Sequence, residues 1–453
     1  MRGWLRFLAL GAVLLAAGAP APAAALGLIR DAEIEASLHA LADPVFQAAG
    51  LDLESIDIYL VRDDSLNAFV AGGQNLFLHT GMLRRAGDPE QVRGVIAHET
   101  GHIAGGHLTR MTSARDNAMA QSLIGAALGA AAARAGAPQL APAFMAGGLT
   151  VAQSGFLKFT RGQEEAADQA AIGFLARLGR SPRGLVDFLE VIERHNLRLT
   201  SGGNVYLRTH PVTRERILFL RQQVERSPYR DRGPEPDQVD AHARMVAKLE
   251  GFLGDPQEVL RRRTGDSLPD RYARAIALYR LPDLDRALPA VDVLILEEPA
   301  NGWFHELKGQ MLFENGRTRE AIAPYRDAVR AEPASALLRL GLARALLEQP
   351  DPDAVREAAT LLEETVRLEP RNAGAWRFLG IARGRLGDEA AAAMALAEQA
   401  VLVRNREDAM LYLHRARQRI EPGGADWFRL QDLTRAAEDL PPRQEPEPGR
   451  RRR

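Results

Sequence analysis

The second half of the chain repeats with a period typical of paired helices. A Glu-Pro dipeptide recurs at intervals of 34 and then 37 residues, at Glu298-Pro299, Glu332-Pro333 and Glu369-Pro370. Small residues recur in register with it, at Gly309, Ala343 and Gly380. A repeat of this length folds as two helices that cross at the small residues, and neighbouring copies bury each other's apolar faces. The period therefore predicts an all-α solenoid with a concave binding surface.

The rest of the chain divides at a break in helical periodicity. Ser227-Pro228 and the Gly-Pro-Glu-Pro run at 233–236 contain residues that cannot continue a helix. With 453 residues, of which 46% are hydrophobic, the chain can form two cores. We expect a first domain at 26–226, a linker at 227–240, the repeat domain at 241–438, and a disordered tail rich in Pro, Glu and Arg at 439–453.

The N-terminus reads as an export signal. Arg2 and Arg6 precede an apolar run from Phe7 to Ala17, and small residues follow up to an A-x-A pattern that ends at Ala25. The run is shorter than the roughly 20 residues of a membrane span, which argues against the alternative of an uncleaved anchor. We expect a signal peptide at 1–25, cleavage near Ala25, a periplasmic location and at most peripheral membrane contact.

Composition restricts the chemistry of any active site. The chain has no cysteine, so disulfides, thiolate metal ligands and cysteine nucleophiles are excluded. The formal net charge of -1 gives no electrostatic signature of nucleic-acid binding. A metal site here must be built from His, Asp and Glu.

The first domain shows both strand and helix patterns. Ile56, Ile58 and Leu60 alternate with other residues as in a half-buried strand, and residues 71–74 have the composition of a hairpin turn. Asp88-Pro89 has the residues of a helix start and predicts a helix over 91–107. The chain is therefore expected to be mainly α, with an α+β first domain containing a small β-sheet, followed by the all-α solenoid.

The predicted helix carries the motif HETGH from His98 to His102. Residues four apart lie on one helical face, so both imidazoles can bind one ion, while Glu99 lies about 100° around the helix, beside the open position. A zinc ion with three protein ligands lowers the pKa of a water molecule, and a nearby carboxylate can take its proton. Two surface histidines on a helix remain the alternative interpretation.

A carboxylate ligand is expected from a separate helix. The run Thr160 to Glu164 is predicted to open such a helix, and Glu164 and Asp168 lie four apart on one face. If Glu164 binds the ion, Asp168 can reach the outer ring nitrogen of His98 or His102 and fix its tautomer. A solvated acidic helix start is the alternative for Glu164.

Several short motifs, in this order, resemble those of the zinc peptidases that include HtpX and the CAAX prenyl proteases: Asn67-Ala68-Phe69, Gly72-Gly73, the turn from Thr80 to Leu83, HETGH, and Phe159-Thr160-Arg161 leading to Glu164 and Asp168. The export signal and helical second half resemble the periplasmic, β-barrel assembly-enhancing type. The resemblance implies one zinc ion per chain held by His98, His102 and Glu164, with Glu99 as catalytic base. It also implies quality control of outer-membrane protein assembly.

The repeats resemble tetratricopeptide repeats. In the clearest copy, the positions where the helices cross or end are occupied by Gly309, Ala321, Tyr325, Ala328 and Pro333. We count about four copies, of which the middle three are regular. This half is expected to contact unfolded or misassembled envelope proteins, or the outer-membrane assembly machinery.

Three features leave alternatives open. His210, which precedes Pro211, is predicted either to stabilise the tetrahedral intermediate, to occupy the open zinc position in a closed state, or to pack a loop. His107 points off the metal face of a continuous helix and is predicted to be structural. The Ala-rich segment 118–152 suits a lid, a membrane-touching hairpin or a plain helical pair.

Two functions are consistent with these features. One is a zinc endopeptidase that cleaves envelope proteins and recruits them through its repeats. The other is a chaperone or scaffold that binds through the repeat groove, with a dormant or secondary protease half.

Overall fold

The computed structural model describes residues 27–134, 141–196, 206 and 210–442. The predicted signal peptide at 1–25 and residues 443–453 of the predicted tail lie outside the described residues. The chain forms two compact units. The first comprises residues up to Arg30 together with Ala42–Gly233, and the second comprises Asp31–Leu41 together with the chain from Pro234 onward.

The first unit contains a small sheet of four strands, β1 Leu28–Ile29, β2 Ile58–Val61, β3 Ala68–Ala71 and β4 Asn75–His79. The strand order is β1-β2-β4-β3, with β2 and β4 parallel and the other neighbours antiparallel. β3 and β4 pair from Ala71 opposite Asn75, so the predicted hairpin is confirmed. Gly72 and Gly73 both have positive φ angles, which the turn requires and which glycine adopts without strain.

The α-helices described between residues 32 and 226 are α1 Ala32–Ala48, α2 Thr80–Arg85, α3 Pro89–Ala104, α4 His107–Arg134, α5 Ala141–Arg177, α6 Arg183–Asn196 and α7 Arg214–Arg226. The α3 start is as predicted, because Pro89 is its first residue and the Asp88 carboxylate accepts a hydrogen bond from the Gln91 amide at 2.9 Å. α3 packs closely on α5, and a Cβ atom at Gly101 would lie 2.7 Å from the Ala167 carbonyl oxygen. This glycine therefore permits the close contact between the two helices.

Two predicted helix boundaries are wrong. α3 ends at Ala104 rather than at 107, because Gly105 and Gly106 follow and Gly106 has a φ of +59°. No helix begins at Thr160, which lies inside the continuous helix α5. Gly162 does not interrupt α5, since a single glycine lowers helix stability by only about 1 kcal/mol.

The segment 118–152 contributes to α4 and α5, which pack against each other. Residues 135–140 within this segment lie outside the described residues. In the part of the chain that the structure describes, every helix is too short or too polar to cross a membrane.

The second unit is all-α, as predicted. Its helices are α8 Pro236–Leu253, α9 Pro256–Arg262, α10 Leu268–Arg280, α11 Leu284–Glu297, α12 Gly302–Glu314, α13 Thr318–Ala331, α14 Ala336–Leu347, α15 Pro352–Leu368, α16 Ala373–Arg385, α17 Glu389–Leu402, α18 Arg406–Arg417 and α19 Ala425–Glu438. From α10 onward they form five helix pairs, one more than the sequence count. α8 begins at Pro236, inside the range predicted as linker.

The helix pairs pack at the predicted small residues. A Cβ atom at Gly309 of α12 would lie 2.9 Å from the Tyr325 ring of α13, so the ring packs directly on the α12 backbone. Tyr325 and Ala321 are both buried. The repeat positions inferred from the sequence are therefore contacts between the two helices of one pair.

The first ten residues of α1 belong to the second unit, whereas the sequence analysis assigned them to the first domain. Glu33 is fully buried, accepts a hydrogen bond from the Tyr272 hydroxyl at 2.8 Å and pairs with Arg244 at 3.0 Å. Lys248, 1% exposed, lies 2.9 Å from Asp31 and 3.5 Å from Glu33. These partners are more than 200 positions apart, so the local sequence carries no signal of the pairing.

The buried cation of this cluster provides a stability test. Lys248→Met leaves Glu33 buried beside fewer positive groups, and removing one partner of a buried ion pair costs about 3–5 kcal/mol. We expect the free energy of unfolding of the second unit to fall by up to about that amount in urea titrations. The control Lys308→Met removes a 31% exposed cation that lies 2.6 Å from Asp292, and such a pair contributes at most about 1 kcal/mol. Equal losses in the two variants would contradict this assignment.

Candidate metal centre and catalytic site

The two histidines of the HETGH motif lie on the face of α3 that contacts α5. Both are buried, and their Nε2 atoms are 3.2 Å apart. Glu164 of α5 lies opposite, with Oε2 3.4 Å from His98 Nε2 and Oε1 3.3 Å from His102 Nε2. The structure therefore brings together the three residues that the sequence analysis selected as ligands.

His210 joins this cluster. Its Nδ1 lies 3.1 Å from Glu164 Oε1 and 3.4 Å from His98 Nε2. Among the described residues, these four side chains are the one group whose nitrogen and oxygen atoms could hold a metal ion, all within 4.8 Å of one another.

The spacing of these atoms fits a zinc ion. Tetrahedral zinc binds nitrogen and oxygen at about 2.0–2.2 Å, which separates the ligand atoms from one another by about 3.3–3.6 Å. The observed separations between the two histidine nitrogens and the Glu164 oxygens, 3.2, 3.3 and 3.4 Å, are close to that range. Two imidazoles and a carboxylate also form a common donor set of catalytic zinc.

Asp168 lies one turn after Glu164 on α5, with Oδ1 2.9 Å from His98 Nδ1. Of the two histidines considered in the sequence analysis, the structure places Asp168 beside His98. A carboxylate at this nitrogen fixes the tautomer that leaves Nε2 free to bind an ion.

Arg216 of α7, which the sequence analysis missed, supports both carboxylates. Its Nε and Nη2 donate to Asp168 at 2.8 and 2.9 Å, and its Nη1 lies 2.7 Å from Glu164 Oε2. Two buried carboxylates require a positively charged partner, so the sequence could have predicted that a cation lies beside them. It could not indicate which arginine supplies the charge, because the partner comes from another helix.

Two more side chains lie near the histidines, and the sequence predicted neither of their contacts. The Tyr206 ring stacks on His210 with centroids 4.7 Å apart, and the Tyr206 carbonyl accepts a hydrogen bond from the His210 amide at 2.7 Å. His107, predicted to point away from the metal face, lies with its Nδ1 2.9 Å from His102 Nδ1. The reason given for that prediction does not hold, because α3 ends before His107 and the spacing of a continuous helix does not apply. His107 is nevertheless not among the four side chains that could hold an ion.

Glu99 is fully buried beside the cluster. Neither carboxylate oxygen has a hydrogen-bond partner among the described residues, and Oε1 lies 3.6 Å from His210 Nε2. Burial raises the pKa of Glu99, while His210 and His98 oppose the rise. A buried carboxylate beside possible metal ligands, with no hydrogen-bond partner among the described residues, is suited to exchange a proton with a bound molecule.

The two carboxylates favour the positively charged form of His98. Burial disfavours a charged His98, but its hydrogen bonds to Asp168 and Glu164 outweigh burial and raise the pKa of His98 to about 10. Burial instead lowers the pKa of His102 to about 3, although Glu164 opposes this change. The carboxylates thus create a local field in which a metal cation is stabilised.

Comparisons with known proteins agree with this geometry. Residues 29–224 match the sequence model of peptidase family M48, and residues 272–336, 306–354 and 355–409 match that of a tetratricopeptide repeat. The β-barrel assembly-enhancing protease of Yersinia pestis is 27% identical over 380 residues, which cover 82% of this chain and 76% of that protein. The protein of the same name from Escherichia coli K12 is 26% identical over 379 residues, covering 81% and 75%.

The chain therefore carries a peptidase family M48 domain followed by tetratricopeptide repeats. It is a metalloprotease, a hydrolase, and its cofactor is zinc. The metalloprotease LoiP of Escherichia coli K12 is 29% identical over 175 residues, 37% of this chain and 61% of that protein. The predicted fold class, enzyme class and cofactor are thus confirmed.

The buried guanidinium provides the test of this arrangement. Arg216→Met would leave Asp168 and Glu164 without their cation, and such a loss costs about 3–5 kcal/mol. We expect thermal unfolding of the metal-free protein to shift to lower temperature by several degrees. The control Arg214→Met changes an exposed residue at the start of the same helix and should leave the midpoint unchanged. A variant at Arg216 as stable as this control would show that the guanidinium does not balance the carboxylates.

Proposed function

We propose that this metalloprotease is an exported endopeptidase that hydrolyses misfolded or stalled proteins during the assembly of outer-membrane β-barrel proteins. The observation that carries the hydrolytic part is the meeting of His98, His102 and Glu164 at one buried point, with Glu99 beside them. The periplasmic location and the client class are supported by the signal-like N-terminus and by the names of the two relatives that match most of this chain.

We further propose that His98, His102 and Glu164 hold the zinc. Asp168 orients His98, and Arg216 holds both carboxylates in place. When bound, zinc lowers the pKa of water and polarises the peptide carbonyl, which is the chemistry that this site requires.

Glu99 acts as the general base in this proposal. Its carboxylate takes a proton from the attacking water as the new C–O bond forms, and delivers that proton to the amine as the C–N bond breaks. Its burial and its lack of a hydrogen-bond partner among the described residues support this role.

The position of β3 in the sheet is consistent with an unfolded polypeptide as the substrate. β3 is at the edge of the four-stranded sheet and contacts α3, the helix that carries the HETGH motif. An extended polypeptide can add to such an edge through main-chain hydrogen bonds, which are independent of side-chain identity. Unfolded or misassembled chains offer such extended segments along much of their length, so they suit this edge as substrates.

One observation favours a chaperone or scaffold as the second candidate. His210 Nδ1 lies 3.1 Å from Glu164 Oε1 and 3.4 Å from His98 Nε2, separations close to those between two ligands of one zinc ion. Tyr206 stacks on the His210 ring. We infer that His210 can fill the fourth zinc position and keep the protease idle, while the repeats bind clients. Of the roles considered for His210, stabilising the intermediate is less consistent with this placement.

Glu99→Gln should retain the fold and bound zinc but lose at least ~100-fold in peptide hydrolysis, because the amide accepts no proton. The measurement is chelator-sensitive cleavage of unfolded casein together with metal analysis. Wild-type turnover by Glu99→Gln would contradict the role of base.

The same variant tests the client class. Expressed in cells, Glu99→Gln should retain outer-membrane β-barrel proteins that the wild-type protein releases, as shown by quantitative proteomics of purified complexes. A retained set without such proteins would overturn the assembly role but leave the hydrolytic site intact.

Glu164→Ala should lower zinc occupancy, whereas Glu165→Ala should not. Neighbouring helical side chains point about 100° apart, and Glu164 is buried in the cluster while Glu165 is exposed. Metal content after dialysis against a weak chelator is the measurement. The reverse result would exclude Glu164 as the carboxylate ligand.

His210→Ala should increase basal cleavage of unfolded casein by roughly fivefold or more, because removing an occupant raises the competent fraction of the enzyme. If His210 instead stabilises the tetrahedral intermediate, the rate should fall by roughly 10²-fold. An unchanged rate would indicate that the side chain only packs the loop.

A further inference from the structure

His107 makes a contact with the metal centre that the proposed mechanism does not use. Its Nδ1 lies 2.9 Å from Nδ1 of His102, the ring nitrogen that faces away from Glu164. The ring planes meet nearly at right angles, with centroids 4.9 Å apart. His107 is 4% exposed, so its contact with His102 is shielded from solvent.

The chain builds this contact with a turn. α3 ends at Ala104, Gly106 adopts a φ of +59°, and α4 begins at His107. The turn returns His107 to the histidine five positions earlier, which a continuous helix would not do. Gly105 is equally restricted, because a Cβ atom there would lie 2.4 Å from His107 Nε2.

A neighbouring helix holds the other side of the turn. The Gln163 side-chain amide, one residue before Glu164, donates to the His107 carbonyl oxygen at 3.4 Å. Gln163 is itself buried. The position of His107 is thus set by the same helix that supplies the proposed carboxylate ligand.

We propose that His107 is a positioning residue that orients His102 as a zinc ligand. Two ring nitrogens 2.9 Å apart share one proton. If His102 binds zinc through Nε2, its Nδ1 carries that proton and donates to His107 Nδ1. His107 thereby orients His102 through Nδ1, in the same way as Asp168 orients His98. The inference rests on the proposed assignment of His102 as a ligand.

His107 could instead shape a cavity for substrate, and this role would affect a different measured quantity. His107 also lines a cavity of about 450 Å³ together with Phe159 and Lys158 of α5. A residue that only shapes a substrate cavity would affect KM and leave zinc affinity unchanged. A positioning residue must affect zinc affinity in the absence of any substrate.

The test measures zinc dissociation constants by competition with a chromophoric chelator. His107→Phe keeps a ring but removes the acceptor, and should weaken zinc binding by roughly 10–100-fold. His107→Asn places Oδ1 as many bonds from Cα as the lost Nδ1, and should restore affinity to within roughly threefold. Gly105→Ala keeps both histidines but displaces the ring, and should resemble His107→Phe. His414→Phe, which changes an exposed histidine of α18, is the matched control.

Thermal unfolding of each metal-free variant separates a folding defect from a loss of metal affinity. Wild-type affinity in both His107→Phe and Gly105→Ala would overturn the inference, as would an Asn variant as weak as the Phe variant. If His107→Phe does not fold, the contrast between His107→Asn and Gly105→Ala still decides. His102→Ala tests the underlying assignment separately, since tight zinc binding by that variant would refute the ligand set itself.

Discussion

The close approach of α3 and α5 is the contact on which the site depends. Two histidines one turn apart can face one point, but the proposed third ligand has to come from another part of the chain. Gly101, between these histidines, lets the α5 backbone come near enough for Glu164 to reach both Nε2 atoms. A larger side chain there would separate the helices, and a shift of even 1 Å lies outside the tolerance of metal–ligand distances.

Ion pairs connect a third helix, α7, to the site formed by α3 and α5. Glu164 and Asp168 place two carboxylates in the protein interior, which is costly without a cation in good hydrogen-bonding geometry. Arg216 of α7 provides it with a planar guanidinium that reaches both groups. Because Arg216 also donates to the Pro211 carbonyl at 2.8 Å, the same side chain fixes the residue next to His210. One cation thus links the two carboxylates to the segment that carries His210.

The sequence predicted those features that depend on short-range spacing. The i, i+4 histidines, the glycine turn between β3 and β4, the Asp88 cap and the paired helices of the repeats all follow from local geometry. The features that the sequence did not predict depend on contacts between distant segments or on the end of a helix. The contact between His107 and His102 was not foreseen because two glycines end α3. The roles of Arg216 and Tyr206 and the pairing of Glu33 with Tyr272 depend on which distant segments meet.

The division of α1 between the two units makes the first unit an insertion within the second. Asp31–Leu41 is synthesised first, yet its partner Tyr272 follows 239 residues after Glu33. The repeat unit therefore cannot reach its final state until that long loop has closed, a step that local helix formation precedes. It also follows that hydrolysis of the backbone after Gly233 would not by itself release the repeats, because the N-terminal segment would remain packed within them.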